Sequence, residues 1–304
     1  MNPIKLLKVG EKVKPIRTML FVPGIKETWF EKVPSYQTDT VILDLEDSVP
    51  ENLKNQARTN VSDAIKPLTD NGQRVYVRIN RGPYCFNIKD LEAIIKKDLE
   101  GIVLPKLDGP EDIELIHRII SEIEFNKGLE VGSIKLIPTL ETAKSIHAAY
   151  DIAIKPRVVA LAGVSPRSGD VERELNYQWT AEGLERLYIR SHVVLAAKAA
   201  KVQPIGGLWQ DIKDLEGLRK AAQFNRQLGF SGEMVIHPSH VPIVNEVYSP
   251  TEKEIAYYEG MIEAFNEALK EGRAAIVYEG EHIDYAHVKT AKQYVEAAKN
   301  YISS

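Results

Sequence analysis

Short runs of β-branched and other apolar residues alternate with amphipathic stretches along most of the chain. Eight such runs recur, and stretches with helical periodicity fill most of the gaps between them. A strand followed by a helix, repeated eight times, is typical of an α/β protein with a (β/α)8 or TIM barrel. The predicted strands cover residues 19–22, 40–45, 75–79, 101–104, 135–139, 158–162, 202–208 and 234–236.

The pattern changes near Pro250, which divides the chain into a barrel and a C-terminal module. We predict a polar N-terminal arm over residues 1–16, the barrel over 17–248, and a helix–hairpin–helix module over 249–304. Ser249 and Thr251 are suited to cap the first helix of the module. Because the module is too small for a convincing core of its own, we expect it to pack as a lid on the barrel or on a neighbouring subunit. The apolar face of its first helix comprises Ile255, Tyr258, Ile262, Phe265 and Leu269.

Composition narrows the possible partners and the cellular location. The net charge of −4 comes without a stripe of Lys and Arg, so the sequence does not indicate nucleic-acid binding. No apolar run is long enough to span a membrane, and the N-terminus has no signal-peptide core. The single Cys85 cannot form an internal disulfide. Together these features predict a cytoplasmic protein.

Two acidic residues follow the fifth and sixth predicted strands. Glu141 comes directly after the fifth strand, and Asp170 lies in the loop after the sixth. Adjacent barrel strands lie about 5 Å apart, so the two carboxylates could converge on one ion. Two carboxylates with water and substrate oxygens commonly hold Mg²⁺. The alternative is structural, with each acid favoured at the start of a helix or in a turn.

A second acidic group follows the second strand in the segment VILDLEDSVP. Asp44, Glu46 and Asp47 repel one another and need cations or hydrogen-bond donors nearby. Asp44 and Glu46 share one face of the strand, which can be the barrel mouth. Lys54 and Arg58, four residues apart on the next predicted helix, could be partners of these acids or could bind an anionic ligand. A solvated loop is the alternative interpretation.

Two arginines near strand ends are further candidates. Arg78 ends an apolar strand in VYVRIN, where a buried cation is costly unless its charge is met. It could grip a carboxylate or an enolate oxygen in bidentate fashion, or it could form a structural salt bridge to Glu46 or Asp47. Arg17 precedes the first strand and is a weaker substrate-binding candidate, because it would have to reach through the barrel.

Several segments together resemble the citrate lyase β-subunit and malyl-CoA lyase group of the HpcH/HpaI aldolase superfamily. The segment DTVILDLEDSVPENLKNQAR (39–58) is the most specific of them. The others follow in family order and comprise RTMLFVPG (17–24), VRIN (77–80), LPKL (104–107), PTLETA (138–143), LYIRSHVVLAAKAA (187–200), GFSGEMVIHPSHV (229–241), YSPTEKEI (248–255) and GEHIDYAHV (280–288).

The resemblance implies a magnesium-dependent lyase, with Mn²⁺ as a possible substitute, that cleaves a C–C bond of a 3-hydroxyacyl-CoA or related thioester. The products would be acetyl-CoA, or a related acyl thioester, and a 2-oxo acid. The metal ligands of the family correspond to Glu141 and Asp170, and its strand-three arginine corresponds to Arg78. Its DLED acids correspond to Asp44, Glu46 and Asp47, of which the last two would orient Arg78 and metal-bound water. Its lid acid, supplied by a neighbouring subunit in related enzymes, corresponds to Asp284, which implies a homo-oligomer, a trimer or a hexamer of trimers.

The chain departs from the family pattern at three places. The usual short turn before the metal-binding Asp is lengthened to GVSPRSGD, so an alternative alignment would put Pro166 at the ligand position; the gap-free segment 170–190 favours Asp170. Glu233 stands where the family often has Lys, and Gly206 stands where an Asp is often found. Two other functions stay open beside the lyase: a malyl-CoA-type thioesterase, and a lyase subunit that requires an acyl-carrier partner.

Overall fold

The computed structural model of the chain describes residues 15–302, so most of the predicted 1–16 arm lies outside the described residues. Two compact units are present, the first ending at Val247 and the second beginning at Tyr248. None of the helices in the described range combines the length and apolar character needed to cross a membrane.

The first unit is built around eight parallel strands that form a nearly closed barrel, which confirms the predicted fold. The hydrogen-bonded order is β5-β4-β3-β2-β1-β8-β7-β6. Parallel bridges from Leu136 to Val158 and from Thr139 to Ala162 join β5 to the β6 segment and complete the ring. The strands are β1 (Thr18–Pro23), β2 (Thr40–Asp44), β3 (Arg74–Arg78), β4 (Gly101–Leu104), β5 (Lys135–Pro138), β6 (Ala160–Ala162), β7 (Gln203–Gly207) and β8 (Gly232–Val235).

Helices follow the strands and cover the outside of the barrel. Short 3-10 turns at Val33–Tyr36, Glu51–Leu53 and Leu184–Arg186 precede or join some of them. The barrel-unit helices are α1 (Glu27–Phe30), α2 (Lys54–Asp70), α3 (Ile88–Ile94), α4 (Pro110–Asn126), α5 (Ala143–His147), α6 (Ala149–Ala153), α7 (Asp170–Leu175), α8 (Leu187–Ala200), α9 (Leu215–Leu228) and α10 (His240–Tyr248).

Alternation along the strands fixes which side chains fill the barrel. Each strand contributes to one buried cluster, which includes Met19, Ile42, Tyr76, Val103, Ile137, Ala160, Ile205 and Met234. Because side chains alternate with a period of two, residues two positions further along a strand point to the same interior face. Asp44 follows Ile42 by two positions and Arg78 follows Tyr76 by two, and the two are partners in the β2–β3 register. The barrel therefore directs both charged groups to its C-terminal mouth.

The second unit is a helix–hairpin–helix module, as predicted. It consists of α11 (Glu252–Lys270), the antiparallel pair β9 (Ile276–Tyr278) and β10 (Glu281–Ile283), and α12 (Tyr285–Ile302). Thr251 and Glu254 form a reciprocal capping box at the start of α11. The module has a small apolar cluster of its own, which includes Phe265 on the predicted face of α11 and Ile283 on the hairpin. Its role as a lid stays a prediction.

Candidate active site at the mouth of the barrel

An ion pair between the ends of β2 and β3 is the centre of the site. Arg78 donates from Nε to Oδ1 of Asp44 at 2.7 Å and from Nη2 to Oδ2 at 2.8 Å, a bidentate arrangement. Its guanidinium also lies over the Phe21 ring at 4.7 Å. Burial alone would lower the pKa of Arg78, but the hydrogen bonds and charge of Asp44 outweigh it and raise this pKa above its ordinary value. Arg78 is therefore a fixed, permanently charged group at the barrel mouth.

The partners of Arg78 extend to the next two acids. Its Nη1 lies 3.3 Å from a carboxylate oxygen of Glu46 and 3.9 Å from one of Asp47. Burial raises the pKa of Glu46, although the charge of Arg78 opposes this. Asp47 is more exposed, and hydrogen bonds from its neighbours outweigh burial to lower its pKa. The solvated-loop interpretation therefore fails for Asp44 and Glu46, which are buried.

Lys106, to which the sequence analysis gave no role, connects the acids to the fifth strand. Its ammonium binds a Glu46 oxygen and lies 2.9 Å from Asp47. Its backbone N–H donates to Glu141 at 3.2 Å. The residue has a positive φ of 52°, a conformation uncommon outside glycine. One lysine thus contacts three of the candidate acids. Its place directly after β4, in the segment LPKL, was the available sequence signal.

Glu141 has a different environment from the other acids. It is buried, and the one hydrogen bond to its carboxylate among the described residues comes from the Lys106 backbone. Burial raises its pKa to about 7; the charge of Arg78 acts against this rise, while the charges of Glu46 and Asp170 add to it. Glu141 is therefore a carboxylate that lacks a full counter-charge.

Asp170 is the first residue of α7, where the helix dipole favours an acid. Its carboxylate forms an ion pair with Arg173 one turn later, whose side chain is largely exposed. Its negative charge is the smallest of the causes that raise the pKa of Glu141, so the two acids, which follow β5 and β6, act on each other electrostatically.

Lys54 and Arg58, the two predicted substrate-binding cations on α2, instead support the loops around the site. Lys54 donates to the carbonyl oxygens of Leu45 and Glu46 at 2.8 and 2.7 Å. Arg58 donates to the buried Asp90 at 2.6 Å. Neither lies against the acidic carboxylates themselves, so the geometry supports positioning roles for both.

Arg17 lies at the other ends of the strands. It precedes β1 and binds Asp39, which precedes β2, with Nη2 at 2.7 Å and Nε at 3.0 Å from the carboxylate. This pair accounts for its charge at the N-terminal end of the barrel, away from the mouth that carries Arg78. The geometry gives Arg17 a structural role, and we propose no substrate contact for it.

Asp284 belongs to the second unit and caps α12. Its carboxylate accepts from the backbone N–H of Ala286 at 2.9 Å and lies 2.7 Å from Nδ1 of His287. These hydrogen bonds lower its pKa, the one with His287 most. The side chain is about half exposed, so it is available to a partner.

The acids at the mouth suit a divalent cation with few protein ligands. Within residues 15–302, no three His, Cys, Asp or Glu side chains form a ready metal cluster. Glu141 and Asp170 would therefore supply two oxygens, and water and substrate would supply the rest, which is how Mg²⁺ is commonly held. The unmet charge of Glu141 is the observation that fits such an ion.

Two related proteins align with nearly the whole chain. The β-subunit of citrate lyase from Haemophilus influenzae is 31% identical, over 94% of this chain and 98% of that protein. A (3S)-malyl-CoA thioesterase from Cereibacter sphaeroides is 30% identical, over 96% of this chain and 97% of that protein.

Solved structures agree with these sequence matches. The protein CitE of Mycobacterium tuberculosis, in complex with magnesium, acetoacetate and coenzyme A, superposes with a TM-score of 0.75 at 26% identity, covering 94% of this chain and 98% of that one. The HpcH/HpaI aldolase/citrate lyase profile matches residues 17–238, which include all eight strands. The predicted enzyme class, an aldolase-type lyase, is confirmed at this level. The chain therefore belongs to the HpcH/HpaI aldolase/citrate lyase family.

Proposed function

We propose that the protein is a cytoplasmic, magnesium-dependent lyase that cleaves the C–C bond of a 3-hydroxyacyl-CoA-type thioester. Malyl-CoA, citramalyl-CoA and a citryl thioester are the candidate substrates. The observation that carries the proposal is the buried Glu141, whose charge is unmet, beside Asp170 and Arg78 at one barrel mouth. The magnesium, acetoacetate and coenzyme A bound by the related CitE protein support it.

The reaction needs a place for developing negative charge. The substrate hydroxyl gives its proton to water at the mouth, the C2–C3 bond breaks, and the electron pair of that bond forms the enolate of the acyl thioester. The hydroxyl carbon becomes the carbonyl of a 2-oxo acid, and the enolate then takes a proton at carbon. Mg²⁺, when bound, would act as a Lewis acid toward the carboxylate and hydroxyl of the 2-oxo acid half.

The chain's own residues have separable parts in this scheme. Glu141 and Asp170 would hold the ion, with Mn²⁺ as a possible substitute. Asp44 accepts from Nε and Nη2 of Arg78, and Nη1 lies 3.3 Å from Glu46; the N–H groups that these acids leave over would stabilise oxygen charge as it develops. Glu46 and Asp47 would orient Arg78 and metal-bound water.

Asp284 is the proposed proton donor to carbon, in a homotrimer or a hexamer of trimers where it serves a neighbouring subunit. Its exposure and its position at the start of α12 are consistent with a contact outside its own unit. Mixing an Asp284→Ala chain with an Arg78→Ala chain tests this arrangement. Recovery of activity that neither variant has alone supports a shared site, whereas no recovery after proven subunit exchange rejects it.

The two activities of the relatives are distinguished by the products. A lyase converts malyl-CoA into acetyl-CoA and a 2-oxo acid, whereas a thioesterase releases free CoA and the hydroxy acid. The purified chain should be incubated with each of the three thioesters, with Mg²⁺ or with EDTA, and the products separated by mass. We expect a 2-oxo acid to form only when Mg²⁺ is present, and the other product to keep its thioester bond to CoA.

The similarity to the malyl-CoA thioesterase keeps that activity as the second candidate, and free CoA as the main product would establish it in place of the lyase. The similarity to a citrate lyase subunit raises a third possibility, that the chain acts on a thioester carried by a partner protein. Inactivity on all free CoA esters, with activity on a citryl group attached to an acyl-carrier protein, would identify this case.

A further inference from the structure

The barrel unit contains a second cavity outside the cluster around Arg78. Its volume is about 300 Å³, and none of Arg78, Glu141, Asp170 or Lys106 lines it. Its walls come from β7, β8, α8, α9 and the segments that precede the two helices. The lining that matters to the argument comprises Trp179, Arg190, Trp209, Phe224, Asn225 and Glu233.

Arg190 on α8 is the unusual member of this lining. It is only 8% exposed, yet among the described residues its guanidinium makes no hydrogen bond and no ion pair. Its one cation–π contact among the described residues is with the Phe224 ring, whose centroid lies 5.9 Å from the guanidinium carbon. Burial and the charge of Arg186 lower its pKa to about 10, although the charges of Glu233 and Glu185 act against this. A buried guanidinium that no carboxylate contacts directly is costly, so a hydrogen-bonded partner is expected.

The neighbouring Arg186 shows what a satisfied arginine looks like in the same wall. It pairs with Glu185 at 2.7 Å, donates to the carbonyl of Ser165 at 3.2 Å, and lies 4.6 Å from the Trp179 ring. Of these two arginines, four residues apart, Arg186 has its hydrogen bonds satisfied by the protein, whereas Arg190 does not. The difference assigns the unmet binding capacity to Arg190.

Other polar groups of the lining are also unpaired. The indole N–H groups of Trp179 and Trp209 are buried without a hydrogen-bond acceptor, and so is Oδ1 of Asn225 without a donor. The Nδ2 of Asn225 donates to Glu233 at 2.8 Å. Buried polar groups normally have partners, so three unpaired atoms on residues that line one cavity show that the protein does not satisfy the polar groups of this wall by itself.

We propose that this cavity binds a small organic monocarboxylate, whose carboxylate pairs with Arg190 and whose apolar body lies against Trp179, Trp209 and Phe224. The planar fork of arginine matches a carboxylate in bidentate fashion. Glu233 also lines the cavity, so a ligand with one negative charge is repelled less by its carboxylate than a phosphate dianion would be. The aromatic lining favours a ligand with a ring or a branched chain over acetate.

Phenylacetate is a suitable probe, and tryptophan fluorescence is a local readout. Two of the three tryptophans line the cavity, and the third, Trp29, is 47% exposed elsewhere. Titrations are run in EDTA, so that a bound cation at the barrel mouth does not recruit the probe. We expect phenylacetate to change the emission and to bind at least about tenfold more tightly than acetate, 2-phenylethanol or inorganic phosphate.

Substitutions at Arg190 locate the effect. Arg190→Met should weaken phenylacetate binding by about ten- to a hundredfold, the loss expected for a charge-assisted bidentate contact. Arg190→Lys keeps the charge and should bind weakly because the fork is lost. Arg219→Met is the matched control, since Arg219 lies on α9 and pairs at the surface with Glu246, so binding should not change.

Thermal melting without ligand separates binding from a structural role. An arginine kept for a ligand is an unpaired buried cation, so Arg190→Met should melt no lower than the parent chain and should lose the melting shift caused by phenylacetate. Unchanged binding in both Arg190 variants would overturn the proposal, as would no binding of phenylacetate to the parent. Tighter binding of phosphate, or equal binding of 2-phenylethanol, would reject the carboxylate as the ligand class.

Discussion

Asp44, the last residue of β2, and Glu141, which follows β5, are both buried carboxylates of the same barrel, yet their pKa values move in opposite directions. The pKa of Asp44 is lowered, because two hydrogen bonds and the charge of Arg78 outweigh burial. The pKa of Glu141 rises to about 7, because burial is opposed mainly by the more distant charge of Arg78. Burial alone therefore does not decide the charge of an acid at this mouth.

The difference shows which charges the protein neutralises itself and which it leaves to a ligand. Around Asp44, the protein supplies Arg78, and around Glu46 it supplies Lys106 as well. Around Glu141, it supplies one backbone N–H and places a second acid nearby. A site that forms an enolate needs a fixed cation to stabilise the developing negative charge, which Arg78 can supply. A site that holds a divalent cation needs a carboxylate without a counter-charge, which Glu141 can supply.

The largest effect is expected when the unmet anion is removed. Glu141→Ala and Asp170→Ala should each lower kcat/KM by roughly 10³-fold, since several kcal/mol of transition-state stabilisation by the ion would be lost. Steady-state turnover of the substrate identified above, with Mg²⁺ titrated, measures this. The exposed Asp151 provides the control, and Asp151→Ala should be silent. Full activity of Asp170→Ala would show that the alignment through the GVSPRSGD loop is wrong.

The second prediction reverses the usual effect of losing a charged residue. Because the folded-state pKa of Glu141 is above the ordinary 4.5, the folded chain binds this proton more tightly, and stability falls as pH rises from 4.5 to 7. Without metal, Glu141→Gln should be more stable than the parent at pH 8, by up to about 3 kcal/mol, and equal to it near pH 4.5.

Denaturant unfolding in EDTA at the two pH values measures the change. Glu100→Gln is the opposite control, because Arg74 and Lys135 outweigh burial to lower the pKa of Glu100. The stability from that group is present above pH 4.5 and is lost as pH falls through the lowered value, so Glu100→Gln should be less stable at pH 8. A loss of stability in Glu141→Gln at pH 8 would mean that the carboxylate is already paired.

The third prediction tests the fixed cation. Arg78→Lys keeps the charge but loses the fork that holds both oxygens of Asp44, so kcat should fall by about 10²-fold while the metal still binds. Arg74→Lys is a closely matched control. Arg74 pairs with both oxygens of Glu100 at the opposite end of the same strand, so its replacement should affect stability and leave turnover unchanged. Equal turnover of Arg78→Lys and the parent would make Arg78 a structural ion pair.

Sequence reasoning recovered the parts of the molecule that depend on local pattern. Strand alternation predicted the barrel, and each strand lies within two residues of its predicted bounds at both ends. The same period of two predicted that Asp44 and Glu46 share a strand face that can be the mouth, and Arg78 was a candidate because it ends an apolar strand. Strand order then brought Glu141 and Asp170 to neighbouring ends.

Long-range partners were harder to predict, because they depend on loop conformation and helix packing. Arg58 was expected near the β2 acids or a ligand, but it binds Asp90, which the sequence places 32 residues away. The cavity at Arg190 arises where α8 and α9 face β7 and β8, and no sequence pattern gives that spacing. No role was predicted for Lys106, because its ammonium reaches acids some 60 residues earlier in the chain and its contact with Glu141 comes from the backbone.

The smallest effect is expected at Lys106, which contacts acids of both kinds. Lys106→Met removes the ammonium from Glu46 and Asp47 but keeps the backbone hydrogen bond to Glu141. Arg78 still faces Glu46, so kcat should fall by only about tenfold, the loss expected for one charge-assisted hydrogen bond. Because that lost ammonium lowers the pKa of Glu46, the acidic limb of the pH–rate profile should move to higher pH in the variant. Lys54→Met is the control for this prediction. The ammonium of Lys54 binds carbonyl oxygens of the same loop, so the variant should leave the pH–rate profile unchanged. If both variants moved the profile equally, Lys106 would be one more loop support and the charge pattern at the mouth would rest on Arg78 alone.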